Sequence, residues 1–115
     1  MARKQSIILE LGDTSKSDAT ATLLTNRLKP GQTLCIQLVA FRSDSEKNGV
    51  AHLAVRRGTT LASLGTVAMP TQGYTYEYHH QIWLESDAQM QIDFTHVGAT
   101  CPIRAWVFGY LQDDL

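Results

Sequence analysis

At 115 residues the chain has room for one domain with its own core and not for two, and it needs neither a metal nor a disulfide framework to fold. Hydrophobic residues make up 43% and charged residues 18%, the second low against the usual ~25%, so some faces are expected to be covered by partners. The formal net charge is −1, and the basic residues are scattered from Arg3 to Arg104 without forming a stripe, which removes the usual electrostatic footprint of nucleic-acid binding.

The first strand is expected over residues 6–11, with Ile7, Leu9 and Leu11 on one face and Ile8 and Glu10 on the other. This apolar run is too short for a signal-peptide core or a membrane span, giving the expectation of a protein that stays or assembles in the cytoplasm. Residues 12–18 read as a loop of glycine and small hydrogen-bonding side chains. Residues 19–24 form a weak strand suited to a sheet edge. Lys29-Pro30-Gly31-Gln32 fits a type II turn, with glycine where positive φ is needed. The strand over residues 33–41 is apolar on both parities, Leu34, Ile36, Leu38 and Ala40 against Cys35, Val39 and Phe41, as a central strand would be.

Residues 42–48 are polar and end in Asn48-Gly49, and residues 50–57 alternate Ala51, Leu53 and Val55 with His52, Ala54 and Arg56. These two strands read as an antiparallel hairpin with a longer loop. Residues 61–67 place apolar side chains at 61, 64 and 67, a helical spacing, but Gly58, Gly65 and Pro70 favour a strand. Residues 73–84 set Tyr74, Tyr76, Tyr78, His80, Ile82 and Leu84 on one parity and Trp83 on the other. After a turn at Ser86-Asp87-Ala88, Met90, Ile92, Phe94 and His96 oppose Gln89, Gln91, Asp93 and Thr95. The last strand, over residues 103–111, sets Ile103, Ala105, Val107 and Gly109 against Arg104, Trp106, Phe108 and Tyr110. About eight antiparallel strands without a repeat predict a single all-β domain, a sandwich of the eight-stranded jelly-roll type, with residues 1–5 and 112–115 as flexible arms. An immunoglobulin-like sandwich is the nearest alternative, but Trp83 and Trp106 both lie too late for its Cys-Trp-Cys spacing.

No residue cluster specifies a reaction, and the expectation is a non-enzyme without a metal or other cofactor. His79 and His80 are the obvious metal candidates, with Glu77, Glu85, His52 and His96 as additional ligands, yet strand neighbours point to opposite faces. Gly73, His79 and Glu85 are superficially similar to the cupin metal motif, whose second histidine stands two residues along and not one. There is no Gly-x-Ser-x-Gly elbow, no cysteine in an activating context and no phosphate-cradling glycine loop. Asp44 with Glu46 and Asp113 with Asp114 read as solvated charges. Cys35 and Cys101 read as two buried thiols, since a disulfide between them would need Cα atoms within about 7 Å. Arg56 and Arg57 splay apart and read as surface or subunit salt bridges.

The candidate binding residues are aromatic. Tyr74, Tyr76 and Tyr78 form one stripe, and Trp106, Phe108 and Tyr110 form another, with Trp83 nearby and Arg104 placed for a cation–π contact beside Trp106. One stripe is expected in the core and the other against a neighbouring subunit, the alternative being a platform on which sugar rings stack.

The run Leu28-Lys29-Pro30-Gly31-Gln32-Thr33 before a long strand, residues 78–84 followed by Ser86-Asp87-Ala88-Gln89, and the closing strand Arg104-Ala105-Trp106-Val107-Phe108-Gly109-Tyr110 together resemble the small jelly-roll structural proteins of tailed bacteriophages, the capsid cement or decoration proteins and related tail-tip modules. The likeness covers nearly the full chain as a pattern. It implies a virion protein, assembled in the host cytoplasm, that forms a dimer or trimer and clamps neighbouring capsid or tail subunits, with its terminal arms reaching a neighbour and with no nucleic-acid or membrane partner. A lectin-like module that recognises glycans, as part of a phage tail, is the alternative.

Overall fold

The computed structural model describes residues 2–44 and 49–114 and is an all-β sandwich. Nine strands are present among the described residues: β1 (Ala2–Thr14), β2 (Ala21–Leu24), β3 (Gln32–Ser43), β4 (Gly49–Arg57), β5 (Thr60–Met69), β6 (Tyr76–Tyr78), β7 (Ile82–Leu84), β8 (Ala88–Thr95) and β9 (Pro102–Asp114). The first sheet runs β1-β9-β3-β6, with β7 also on β3, and the second runs β2-β8-β4-β5. Every pairing is antiparallel. Because β6 and β7 lie along the same neighbour and continue one another, they are a single strand interrupted at residues 79–81, and the nine pieces make the eight-stranded jelly roll that the sequence predicts.

Three expectations are corrected. The segments read as arms are mostly strand: Ala2 to Gln5 pair with Asp114 to Leu111, so β1 and β9 are each 13 residues long, while Met1 and Leu115 lie outside the described residues. β3 and β4 are not a hairpin. They belong to different sheets, β4 pairing with β5 and β8, and residues 45–48 of the connection lie outside the described residues.

The third correction concerns which side chains of β3 share a face. Leu34 and Ile36 point inward, but the register against β9 slips between Ile36 and Leu38, leaving Gln37 as an extra residue, so Leu38 and Ala40 do not share their face. The bulge inverts the alternation beyond it. Val39 and Phe41 therefore join the core at 1% and 0% exposure, and Leu38 and Ala40 turn outward. Burying Phe and Val in place of Leu and Ala removes more apolar surface from water, which favours the bulged register. A second bulge explains the helical spacing at 61, 64 and 67. Leu64 is the extra residue of β5 between Ser63 and Gly65, so it and Val67 both reach the core while Leu61 stays outside.

The sheets meet through Phe41 of β3 and Phe94 of β8, edge to face with centroids 6.2 Å apart, surrounded by Leu53, Met90, Ile92, Ile103 and Val107. Buried polar side chains close the loops against this core. The Thr25 hydroxyl accepts the Met90 N–H at 2.9 Å, and the Thr25 carbonyl accepts Gln89 Nε2 at 2.7 Å, extending the β2–β8 pairing past the end of β2. Ser15 donates its hydroxyl to the Gly98 carbonyl at 2.6 Å and accepts the Cys101 N–H at 2.8 Å. Both cysteines are free, Cys35 fully buried and Cys101 partly so. The expected turn after Lys29 forms, with Gly31 at φ 81° and the Gln32 N–H donating to the Lys29 carbonyl at 3.1 Å.

Gly109 lies opposite the β3 bulge, where a Cβ would sit 2.0 Å from the Cys35 carbonyl oxygen. Gly109→Ala is expected to cost at least about 3 kcal/mol, because backbone rather than a flexible side chain must move. Gly58, at φ +62° with nothing near its missing Cβ, is the control, and Gly58→Ala should cost only about 1 kcal/mol of backbone strain. Urea midpoints of the two variants give the comparison, and equal losses would show that the close approach at Gly109 is not a constraint.

Candidate functional site

The outward faces of the two sheets differ in chemistry. On the second sheet the outward side chains at the centre are mainly polar and bonded to one another, with Leu24 and Leu61 as exposed apolar residues on the edge strands β2 and β5. Thr22 donates to Asp93 at 2.7 Å, Gln91 donates to the other Asp93 oxygen at 2.8 Å, and Arg56 reaches Gln91 at 3.4 Å. His52 Nδ1 stands 3.1 Å from the Thr66 hydroxyl on the same face. Gln89 and Gln91 are buried there despite being polar, because β8 is a central strand flanked by β2 and β4.

On the first sheet the pairings bring apolar residues together in rows across the strands. Ile8, Phe108 and Leu38 form one row. Ser6, Tyr110, Cys35 and Trp83 form a second, and Glu10, Trp106, Ala40 and Glu77 a third. Ile8 is 66% exposed and Trp83 53%, while Leu38, Trp106, Phe108 and Tyr110 are partly exposed. Trp83 and Tyr110 meet edge to face at 6.1 Å across Cys35, and the Lys4 ammonium stands 5.2 Å above the Tyr110 ring. Gln81 donates to the Cys35 sulfur at 3.3 Å, closing over it. This is an apolar, aromatic face with charges at its margins.

Of the predicted site residues, Trp83, Arg104, Trp106 and Tyr110 share this face. The tyrosine stripe separates from it. Tyr76 and Tyr78 pack against the core, Tyr76 accepting the Thr71 N–H at 2.9 Å on its hydroxyl and Tyr78 donating to the Leu64 carbonyl at 3.3 Å. Tyr78 lies over Gly65, where its ring would contact a Cβ at 3.2 Å, so it covers the β5 bulge. Tyr74, 58% exposed, stands edge to face with Tyr76 at 4.8 Å on the approach to β6. Two members of the apolar face, Ile8 and Leu38, were not among the residues singled out from the sequence. Ile8 had its signal in the alternation of β1, whereas Leu38 was hidden by the bulge.

The histidines are dispersed. His79 pairs with Glu77, the His80 ring tilts against Tyr78 at 4.7 Å, and His52 lies on the other sheet. Among the described residues no three of His, Cys, Asp and Glu come together as metal ligands would. Arg56 and Arg57 splay as expected, the first donating to the Gly58 carbonyl at 3.0 Å and the second to the Ser86 carbonyl at 3.3 Å. Arg57 borders a recess of about 240 Å³ whose walls also include Val55, Thr60, Trp83 and Glu85. Hydrogen bonding to the Cys35 side chain, with a smaller contribution from desolvation, raises the Tyr110 phenol above its ordinary 10.0.

No family model and no curated protein matches the sequence. Among solved structures, the mitogen of Yersinia pseudotuberculosis aligns with a TM-score of 0.52 at 6% identity, over 91% of this chain and 86% of its own. The extra small virus of the giant freshwater prawn Macrobrachium rosenbergii, solved as a virus-like particle, aligns at 0.49 and 10% identity over 99% and 80%. A CBM4 structure aligns at 0.44 and 7% identity over 95% and 84%. At such identities the likeness is one of fold.

Two outcomes follow from the placement of the rings. Trp83→Ala should cost about 1 kcal/mol or less, whereas Phe94→Ala, which empties the centre of the sandwich, should cost about 3–5 kcal/mol. Comparable losses in denaturant melts would contradict the exposed position of Trp83. For Tyr110, a raised pKa means that the fold favours the neutral phenol. Its stabilisation is complete below pH 10 and is lost as pH rises through the folded-state value. Ultraviolet titration, with Tyr110→Phe to assign the signal, should place its midpoint above 10.0, and Cys35→Ala should lower it.

Proposed function

We propose that this chain is a non-enzymatic structural protein of a virus particle, a capsid cement or decoration protein, which binds neighbouring shell subunits through the aromatic outer face of its first sheet. The observation that carries this reading is the contrast between the two outer faces. On the second sheet, outward polar groups bond to one another, and the surface is suited to water. The first sheet presents Ile8, Leu38, Phe108, Trp106, Tyr110 and Trp83 side by side. A contiguous apolar patch with aromatic residues at its centre and charges at its rim has the anatomy of a protein interface. The resemblance to tailed-phage jelly-roll proteins supplies the virion setting and the expectation of a homo-oligomer.

A second reading, a carbohydrate-binding module, is favoured by one observation. Trp83 walls the recess beside Arg57, Thr60 and Glu85, where a sugar ring stacked on the indole would find hydrogen-bonding side chains.

The two readings predict opposite sensitivities. Phe108→Ser and Leu38→Ser, both at the middle of the face, should reduce co-sedimentation with shells of the encoding virus at least tenfold while leaving the melting temperature within a few degrees. Trp83→Ala should weaken it less. Saturable binding to an immobilised glycan that is abolished by Trp83→Ala and untouched by Phe108→Ser would overturn the assembly reading in favour of the sugar-binding one.

A further inference from the structure

The four edges of the two sheets are unequal. β2 is four residues long, β6 and β7 are three each, and β5 is bulged at Leu64. Short or bulged edges resist pairing with other chains. β1 is different: it runs for 13 residues without a proline or a register shift, about twice the usual strand length, and among the described residues it pairs only with β9. Its outer edge therefore presents a long row of backbone donors and acceptors. Beside that edge runs a groove of about 350 Å³, lined by Ile7, Leu9, Leu11, Leu24, Leu28 and Leu111 among others, so the apolar side of the strand is incompletely covered.

The charges of β1 are polarised along its length. Arg3 and Lys4 stand at its start, Glu10 and Asp13 near its end. A strand of this kind is complementary to its own reverse. We infer that β1 pairs antiparallel with β1 of a second copy across a two-fold axis, joining the two first sheets into one continuous sheet. With the axis at Ile7, Lys4 of each copy stands opposite Glu10 of the other, giving two cross-strand ion pairs on the outer face, where both residues are exposed in the single chain. On the inner face Ile7 meets its own counterpart at the mouth of the groove, and the second copy's Leu9 stands opposite Gln5. The occupant of edge and groove is thus a second copy of this chain, and the inference stands on β1 alone, independent of what binds the aromatic face.

Light scattering across a dilution series tests it. The full chain should show twice the 12.8 kDa chain mass. Lys4→Glu and Glu10→Lys should each raise the dimer dissociation constant at least tenfold, and the double variant K4E/E10K should recover most of the loss. Phe108→Ser, which alters the aromatic face without touching the edge, should leave the dimer intact. A monomer at all concentrations overturns the inference, as does a dimer indifferent to both charge reversals. Dissociation by Phe108→Ser with no rescue in the double variant would assign self-association to the face instead.

Discussion

Both surfaces of the first sheet depend on one irregularity. Between Ile36 and Leu38 the long strand β3 takes an extra residue against β9, and every side chain beyond it changes sides. Without the slip, Leu38 and Ala40 would point inward and Phe41 would point to solvent. The sheets would then lose the Phe41–Phe94 contact at the centre of the sandwich. The bulge is possible because the partner residue is Gly109, whose missing Cβ leaves space for the Cys35 carbonyl. One glycine on β9 thereby fixes what β3 buries and which of its residues complete the outer aromatic rows.

The asymmetry between the outer faces has an energetic logic. On the second sheet Thr22, Asp93, Gln91 and Arg56 bond to one another across and along the strands, so the polar centre of that face is satisfied within the fold. The first sheet leaves large rings at its surface in a chain with little charge, retaining apolar area that the fold itself does not bury. Such area gains most by association, at roughly 25 cal/mol per Å² before the costs of binding are subtracted. Cys35 shows how far local covering goes: it faces outward yet is fully buried, between Trp83, Tyr110 and Gln81. The rings around it remain available to a partner.

The alternation of β1, β8 and β9 is legible in the sequence because these strands are regular, and the grouping of Trp106, Phe108 and Tyr110 on one face follows directly from it, while the choice of that face as the outer one does not. What escaped was caused by irregularity or by distance along the chain. Period-2 reading carries parity straight through a bulge, so it groups Leu38 and Ala40 with Leu34 and Ile36 where Val39 and Phe41 belong, and Leu64 gives an apparent helical spacing. The tyrosine stripe is legible as a parity class, but not that it is the stripe that packs inward, since nothing local says that Tyr78 lies across Gly65 of another strand. Pairing of the chain ends is the most non-local contact in the fold, and local composition favoured arms where β1 and β9 in fact pair from Ala2 with Asp114 onward.

The edge of β1 and the aromatic face belong to the same sheet, and that coincidence has a geometric consequence. Two sheets joined edge to edge about a two-fold axis normal to them keep their outer faces on the same side. Pairing through β1 therefore sets two aromatic faces next to each other on one continuous surface, with Ile8 and Ser6 of each copy at the seam. A surface of that kind is bivalent. Under the function proposed above, each half would hold a separate subunit of a shell, and the second contact would form at the high effective concentration set by the first, so modest affinity per face would yield firm attachment overall. Clamping neighbours together is what the proposed cement role requires, and a rigid sheet spanning the two contacts would do it without relying on flexible arms.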